Sequence, residues 1–241
     1  AACRALEAIG DPQVIPHLAQ ALQDENPFVC WAAGWALSKI GDPQVIPHLV
    51  QALQGEGWWV RDAACKALSK IGDPQVIPHL IQALQDENGW VRYAACKALD
   101  EIGDPQAIPH LAQALQDENP FVCWAAGWAL SKIGDPQVIP HLVQALQGEG
   151  WWVRDAACKA LSKIGDPQVI PHLIQALQDE NGWVRSAACE ALRAIGNPTT
   201  ILHLIQALQD ENGWVRYMAC EALGKLGDLT AIPHLIQALQ D

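Results

Sequence analysis

The feature that most constrains this chain is that it copies itself. The segment GDPQVIPHLVQALQGEGWWVRDAACKALSKI at 41–71 recurs letter for letter at 134–164, and the block 10–102 matches 103–195 at all but five positions. A period of 31 residues is the length of one supersecondary unit that cannot bury its apolar side alone, so neighbouring copies must stack. In register, the chain reads as a single array over 1–241: a partial unit 1–9, units 10–40, 41–71, 72–102, 103–133, 134–164, 165–195 and 196–226, and a partial unit 227–241. No residue of such an array is unique. The functional question therefore concerns a surface rather than a catalytic centre, and the chain reads as a protein that is not an enzyme.

One unit shows the local chemistry. Gly41 ends a helix, because glycine accepts the left-handed conformation needed just past a helix end. Asp42-Pro43 opens the next element and Pro47 follows, so regular helix is expected from about Val45. Ile46, Leu49, Val50 and Leu53 form one apolar face. The polar stretch Gln54–Gly57 is a turn, and the equivalent turns read QDEN, with Asn26 or Asn88 placed to cap the helix that follows. That second helix carries Val60, Ala63, Ala64, Ala67, Leu68 and Ile71, a 3.6-residue period whose small alanines predict close helix–helix approach. No segment alternates as a strand would. The fold class is all-α, two helices per unit.

The motif VR-x-AA-x-x-AL-x-x-IGD, carried by Val91-Arg92, Ala94-Ala95, Ala98-Leu99 and Ile102-Gly103-Asp104, is followed by x-x-IPxLIxAL. It resembles the HEAT-like repeats of the phycobilisome-lyase type, and artificial alpha-repeat binding scaffolds built on that consensus. The resemblance covers essentially the whole chain and implies a right-handed alpha-alpha superhelix with second helices lining its concave face. Cys30 and Cys123 depart from the motif by replacing its Arg, and the repeats that begin at Gly196 and Gly227 are degenerate.

Helical geometry, at about 100° per residue, sorts the second helix into two sides. With Val60 at the centre of the core, Trp59, Asp62, Lys66 and Lys70 fall opposite it. The same places hold Phe28, Trp31, Trp35 and Lys39 in the unit before, and Trp90, Tyr93, Lys97 and Glu101 in the unit after. The candidate partner-binding residues are thus Phe28, Trp31, Trp35, Trp59, Trp90 and Tyr93, their copies Phe121, Trp124, Trp128, Trp152 and Trp183, and Trp214 with Tyr217. Eleven Trp against two Phe and two Tyr is a ratio suited to partner contact, where a large ring keeps a polar N–H. Packing of these rings into grooves between repeats is the competing reading, with Gly34 and Gly127 placed to make room and Trp58 and Trp151 nearest the flank. The five differences between the long copies are Val14/Ala107, Tyr93/Ser186, Lys97/Glu190, Asp100/Arg193 and Glu101/Ala194. The last four map to the outward side of one second helix.

A net charge of −12 and a pI near 5.0 argue against nucleic acid, whose binding needs a basic face to displace counterions, and against anionic membrane. No apolar run approaches the ~20 residues of a bilayer span. The only Met is Met218 and the chain starts within a repeat, so a fragment or ordered core is expected. The eight cysteines follow the repeat, one per second helix, and read as reduced residues of a cytoplasmic protein rather than a disulfide framework. The eight histidines, His17 to His234, also follow the repeat. Equivalent positions on stacked helices lie roughly 8–10 Å apart, too far to share a zinc whose nitrogen ligands lie at about 2 Å. No cofactor is implied. The leading expectation is a scaffold that presents its second-helix face to a protein partner or to another copy of itself, head to tail. Two further readings stand beside it: a bilin lyase subunit or tetrapyrrole-handling chaperone, and a designed repeat scaffold.

Overall fold

A computed structural model describes residues 2–239. Among these residues every regular element is helical. Two compact units divide at residue 114. The first contains α1 (Ala2–Ile9), α2 (Ile15–Ala21), α3 (Pro27–Ile40), α4 (Val45–Ala52), α5 (Trp58–Ile71), α6 (Ile77–Ala83), α7 (Gly89–Ile102) and α8 (Ile108–Ala114). The second contains α9 (Pro120–Ile133), α10 (Val138–Ala145), α11 (Trp151–Ile164), α12 (Ile170–Ala176), α13 (Gly182–Ile195), α14 (Ile201–Ala207), α15 (Gly213–Leu226) and α16 (Ile232–Ala238). Even-numbered helices are the short first helices of each repeat, and odd-numbered ones are the second helices.

The local signals act as expected. Asp11 and Asp73 accept from the backbone N–H two residues ahead at 2.9 and 2.8 Å, which holds a single 3-10 turn before α2 and α6. Regular helix α4 starts at Val45. Asn26 and Asn88 cap α3 and α7 through the N–H groups of Phe28 and Trp90, both at 2.9 Å. Each such bond satisfies a donor that the helix itself leaves orphaned. The 14-residue helix α5 ends at Gly72, whose φ of 67° is the left-handed stop.

Within each unit the second helices pack side by side, α3 on α5 on α7, and α9 on α11 on α13 on α15. Alanines make this possible: Ala33, Ala36, Ala63, Ala64 and Ala67 are buried, as are Leu37 and Leu68 of the second helices and Leu49 of the first helix α4. At Gly34 a Cβ would lie 3.2 Å from the Ala63 carbonyl oxygen, so this glycine lets α3 approach α5. The side-by-side arrangement also narrows the outward arc expected from a lone helix. Asp100, Asp155 and Ser186 are buried and Tyr93 is half-buried. Hence two of the four divergent positions expected on open surface, Tyr93/Ser186 and Asp100/Arg193, lie along the seam between neighbouring second helices.

A second device joins repeats at their turns. Arg61 Nε and Nη2 donate to Asp86 of the next repeat at 2.6 and 2.9 Å, and Nη1 donates to the carbonyls of Gly55 and Glu56 at 2.9 and 3.1 Å. Arg154 holds Asp179, and Arg185 holds Asp210, in the same way. This fork geometry suits a planar guanidinium and ties two repeats through one buried side chain.

Candidate functional site

The second-helix face carries the aromatic residues singled out in the sequence, and the structure divides them. Phe28, Trp31, Trp35, Trp90, Phe121, Trp128, Trp183, Trp214 and Tyr217 are exposed, Phe28 to 81% and Trp183 to 60%. On α3 the spacing i, i+3, i+7 stacks Phe28, Trp31 and Trp35 along one side. Lysines partly roof two of the rings: Lys39 Nζ sits 5.0 Å from the Trp35 ring centre, and Lys163 Nζ 5.2 Å from that of Trp128. Trp90 meets Tyr93 edge-on at 6.1 Å, whereas Trp214 and Tyr217 stack at 5.0 Å.

The other rings are taken up in packing. Trp124 Nε1 donates to the buried Asp155 at 3.0 Å, and Lys159 Nζ reaches the same carboxylate at 2.9 Å. That network ties α9 to α11 and leaves Trp124 half-buried. Trp59 and Trp152 do not stand on the open face either. Both fold back over the turn that precedes them, where Gly57 and Gly150 leave room; a Cβ at either would lie 2.6 Å from the indole ring. Trp152 Nε1 reaches the Asp117 carbonyl at 3.4 Å. Of the flank residues Trp58 and Trp151, expected from the helical wheel to be the ones that pack, Trp58 is exposed and Trp151 is half-buried. A lone-helix projection cannot foresee this, because it takes no account of a turn cut down to glycine.

This turn explains the departure at Cys30. Cys30 occupies the place of Arg61, and the residue that would have paired with an arginine there, one repeat on, is Gly55 where other turns have Asp. Both halves of the clamp are therefore missing together. Cys30 Sγ bonds the Asp24 carbonyl at 2.9 Å, and the Trp59 indole N–H, buried without an oxygen acceptor, lies against Cys30. Cys123, Gly148 and Trp152 repeat the exchange, with Cys123 Sγ 3.0 Å from the Asp117 carbonyl. The signal was present in the sequence: Cys at the Arg position and Gly 25 residues later occur together, twice.

Charge is segregated. All 15 Lys and Arg lie on the second helices, together with only seven of the 27 acidic residues: Glu7, Asp62, Asp100, Glu101, Asp155, Glu190 and Glu221. The second-helix side is thus cationic in balance on a chain of net charge −12. The cysteines are free. Burial is the main cause that raises the Cys123 and Cys189 thiols to about 12 and lifts Cys65 and Cys158 further. They are core groups rather than nucleophiles. The histidines keep one register on successive first helices, and among the described residues no three His, Cys, Asp or Glu converge as metal ligands. No described helix is long and apolar enough to cross a membrane.

Solved structures place this arrangement among known repeat proteins. Escherichia coli YibA is 22% identical over 99% of this chain and 89% of its own, with a TM-score of 0.66. The complex of CpcE and CpcF of phycocyanin lyase from Nostoc sp. is 23% identical, covering 92% of this chain and 91% of that one, with a TM-score of 0.51. Human deoxyhypusine hydroxylase is 26% identical over 94% and 88%, at a TM-score of 0.46. No curated protein sequence matches the chain. The lyase is an enzyme, and this corrects the expectation that the chain is not one, since the fold alone does not decide it. At these identities the likeness conveys the fold alone. A sequence model of HEAT repeats matches residues 1–61, 49–91, 77–151, 122–193 and 170–241, and with helical pairs stacked through their second helices as described, the chain belongs to the HEAT-repeat family.

Proposed function

We propose that this protein is an interaction scaffold whose second-helix face binds a protein partner or a second copy of the chain. The observation that supports this most is the cost the fold accepts there. Trp31 and Trp35 are 58% and 46% exposed, although the same helix positions hold Asp62 and Lys66 in the next repeat. Large rings left in water at positions that tolerate charge are the kind of residue that dominates partner binding. Phe28, Trp31, Trp35 and Trp90 serve one unit, and Phe121, Trp128, Trp183, Trp214 and Tyr217 the other. Tyr93 and Trp124 meet Trp90 and Phe121 edge-on, whereas Trp59 and Trp152 pack at the turns. The lysines around the rings favour a partner surface with acidic groups beside its apolar contacts.

Trp31→Ala combined with Trp35→Ala tests this. Association, followed with a captured partner or as self-association in sedimentation, is expected to drop at least tenfold, with the unfolding midpoint unchanged. Loss of the cooperative melt in this variant would mean that the rings are core, and the proposal would fall.

A further inference from the structure

We propose that the two aromatic faces differ in what they bind: the second one holds an acidic group of the partner on Lys163, and Ala194 is the residue that decides this. The site is the cleft between Trp124 and Trp128 of α9 and Lys159 and Lys163 of α11. The inference rests on the second-helix face being the binding face. It names the chemistry of one partner segment, an apolar side chain next to a carboxylate.

The duplication supplies the comparison. Residues 27–71 and 120–164 are identical, so both faces carry the same pair of Trp and the same pair of Lys. They differ in the second helix of the following repeat, α7 against α13. In the first copy Lys70 Nζ donates to Glu101 of α7 at 3.0 Å. In the second copy that place is Ala194, which is exposed. Lys163 therefore has no ion pair among the described residues, and its Nζ rests 5.2 Å from the Trp128 ring centre. Asp100, which takes Lys97 at 3.2 Å, is replaced by Arg193, whose Nε is buried without a hydrogen-bond partner. A cation thus stands where the first copy has an anion. Both α11 and α13 lie inside the array, with α15 packed beyond them.

The cleft has room and direction. It holds about 240 Å³ between Trp128 and Lys163, over the buried Ala156 and Ala160. Asp155 fixes Trp124 and also takes Lys159, at 3.0 and 2.9 Å, so Lys163 carries the uncommitted positive charge. Glu190 of α13 stands in the same wall, four residues before Ala194 and so one turn from it. Its charge repels a carboxylate at that end and directs the partner's acidic group to Lys163. Aromatic and alanine walls with an unpaired ammonium at one end suit Phe or Leu beside Glu or Asp. A basic segment would meet Lys163 and Arg193 as like charges. At physiological ionic strength charge beyond about 8 Å is screened, so the chain's net −12 does not cancel this local cation.

The test titrates the full chain into a dye-labelled, blocked peptide of Phe-Glu pairs joined by Gly-Ser spacers and follows fluorescence polarisation. The expected result is saturable binding that falls roughly fivefold with Lys163→Gln, the loss of an exposed ion pair at the upper end of its range. Ala194→Glu, which restores the residue of the first copy, should weaken binding by about as much. Lys70→Gln, the same change in the first copy, is expected to leave the affinity unaltered, and the peptide with Gln for Glu should lose the sensitivity to Lys163→Gln. Lys70, Trp128, Lys163 and Ala194 are all exposed, so these variants keep the fold. Trp128→Ala separates this inference from the reading it rests on. Binding lost in Trp128→Ala but unaltered in Lys163→Gln and Ala194→Glu would keep the face and overturn the acidic site; binding indifferent to all three would count against both. No saturable binding by the parent chain, equal losses in Lys70→Gln and Lys163→Gln, or equal affinity for a single-stranded oligonucleotide of matched charge would each overturn the assignment.

Discussion

Breaking the Arg61–Asp86 clamp should show how much of the array's stability is held in its turns. The side chains of Arg61 and Asp86 are 10% and 12% exposed, so this pair behaves as buried rather than as a surface pair. Arg61→Cys leaves the Asp86 carboxylate with the Asn88 N–H, at 2.8 Å, as its backbone donor, and strips the Gly55 and Glu56 carbonyls of their Arg61 donors. Removing one partner of a buried pair costs about 3–5 kcal/mol, and the slight exposure here puts the expectation near the lower end, about 3 kcal/mol. Asp86→Gly should cost a similar amount, because it strands the guanidinium, with a further ~0.5–1 kcal/mol for the freer backbone of the turn. The double variant recreates the combination the chain already uses at Cys30 and Gly55. It should cost well below the sum, with a coupling of about 2–3 kcal/mol. The backbone cost of the Asp86→Gly change occurs in both arms of the cycle and cancels. The assay is urea unfolding followed by far-ultraviolet circular dichroism and by Trp fluorescence, with free energies compared where the two transitions coincide. Additivity of the two single variants within about 0.5 kcal/mol would refute the reasoning, since it would mean that the clamp's halves do not act together.

Other expectations are independent of that one. Gly57→Ala places a Cβ 2.6 Å from the Trp59 ring; the ring must leave its seat, at about 1–3 kcal/mol, with a change in Trp emission. Gly224→Ala is the contrast, since nothing lies within 4 Å of its Cβ on α15, and it should raise stability by about 0.5–1 kcal/mol. Thiol titration of the native protein with a disulfide reagent at pH 8 should spare the buried Cys30, Cys65, Cys96, Cys123, Cys158 and Cys189 until the chain unfolds; six fast-reacting thiols would contradict the packing. At Asp210 burial would raise the pKa, but the Arg185 hydrogen bond, the Asn212 N–H and nearby positive charge outweigh it and hold the carboxyl below its usual range. A lowered folded-state value means that this contribution is fully present above the unfolded-state pKa of about 4 and is lost as pH falls through the folded-state value. Urea midpoints should thus decline on acidification below about pH 4, and Arg185→Met should flatten that part of the curve.

Much of the architecture was legible in the residues because it is local and periodic. Gly72 had to end α5 since only glycine takes a φ near 67° cheaply, and Asn88 had to cap α7 since its side chain reaches the N–H two residues on. The alanine positions follow from a 3.6-residue period and needed no knowledge of neighbours. The exposure of the aromatic rings was only half legible. Trp35 and Trp124 both project away from the apolar stripe of their own helices, yet Trp35 is open while Trp124 is claimed by Asp155, 31 residues later and on the next helix.

The sequence by itself determined that helical pairs would form, where each would begin and stop, and which side of each would be apolar, because these follow from covalent geometry and contacts within a few residues. Only the tertiary structure decided which outward residues remain outward. It seated Trp59 over Gly57 and left Trp58 exposed, and buried Asp100 and Ser186 in the seam between second helices. The physical reason is common to all of these: burial is set by the surface of the next repeat, and what that surface has lost, as at Gly55, matters as much as what it presents.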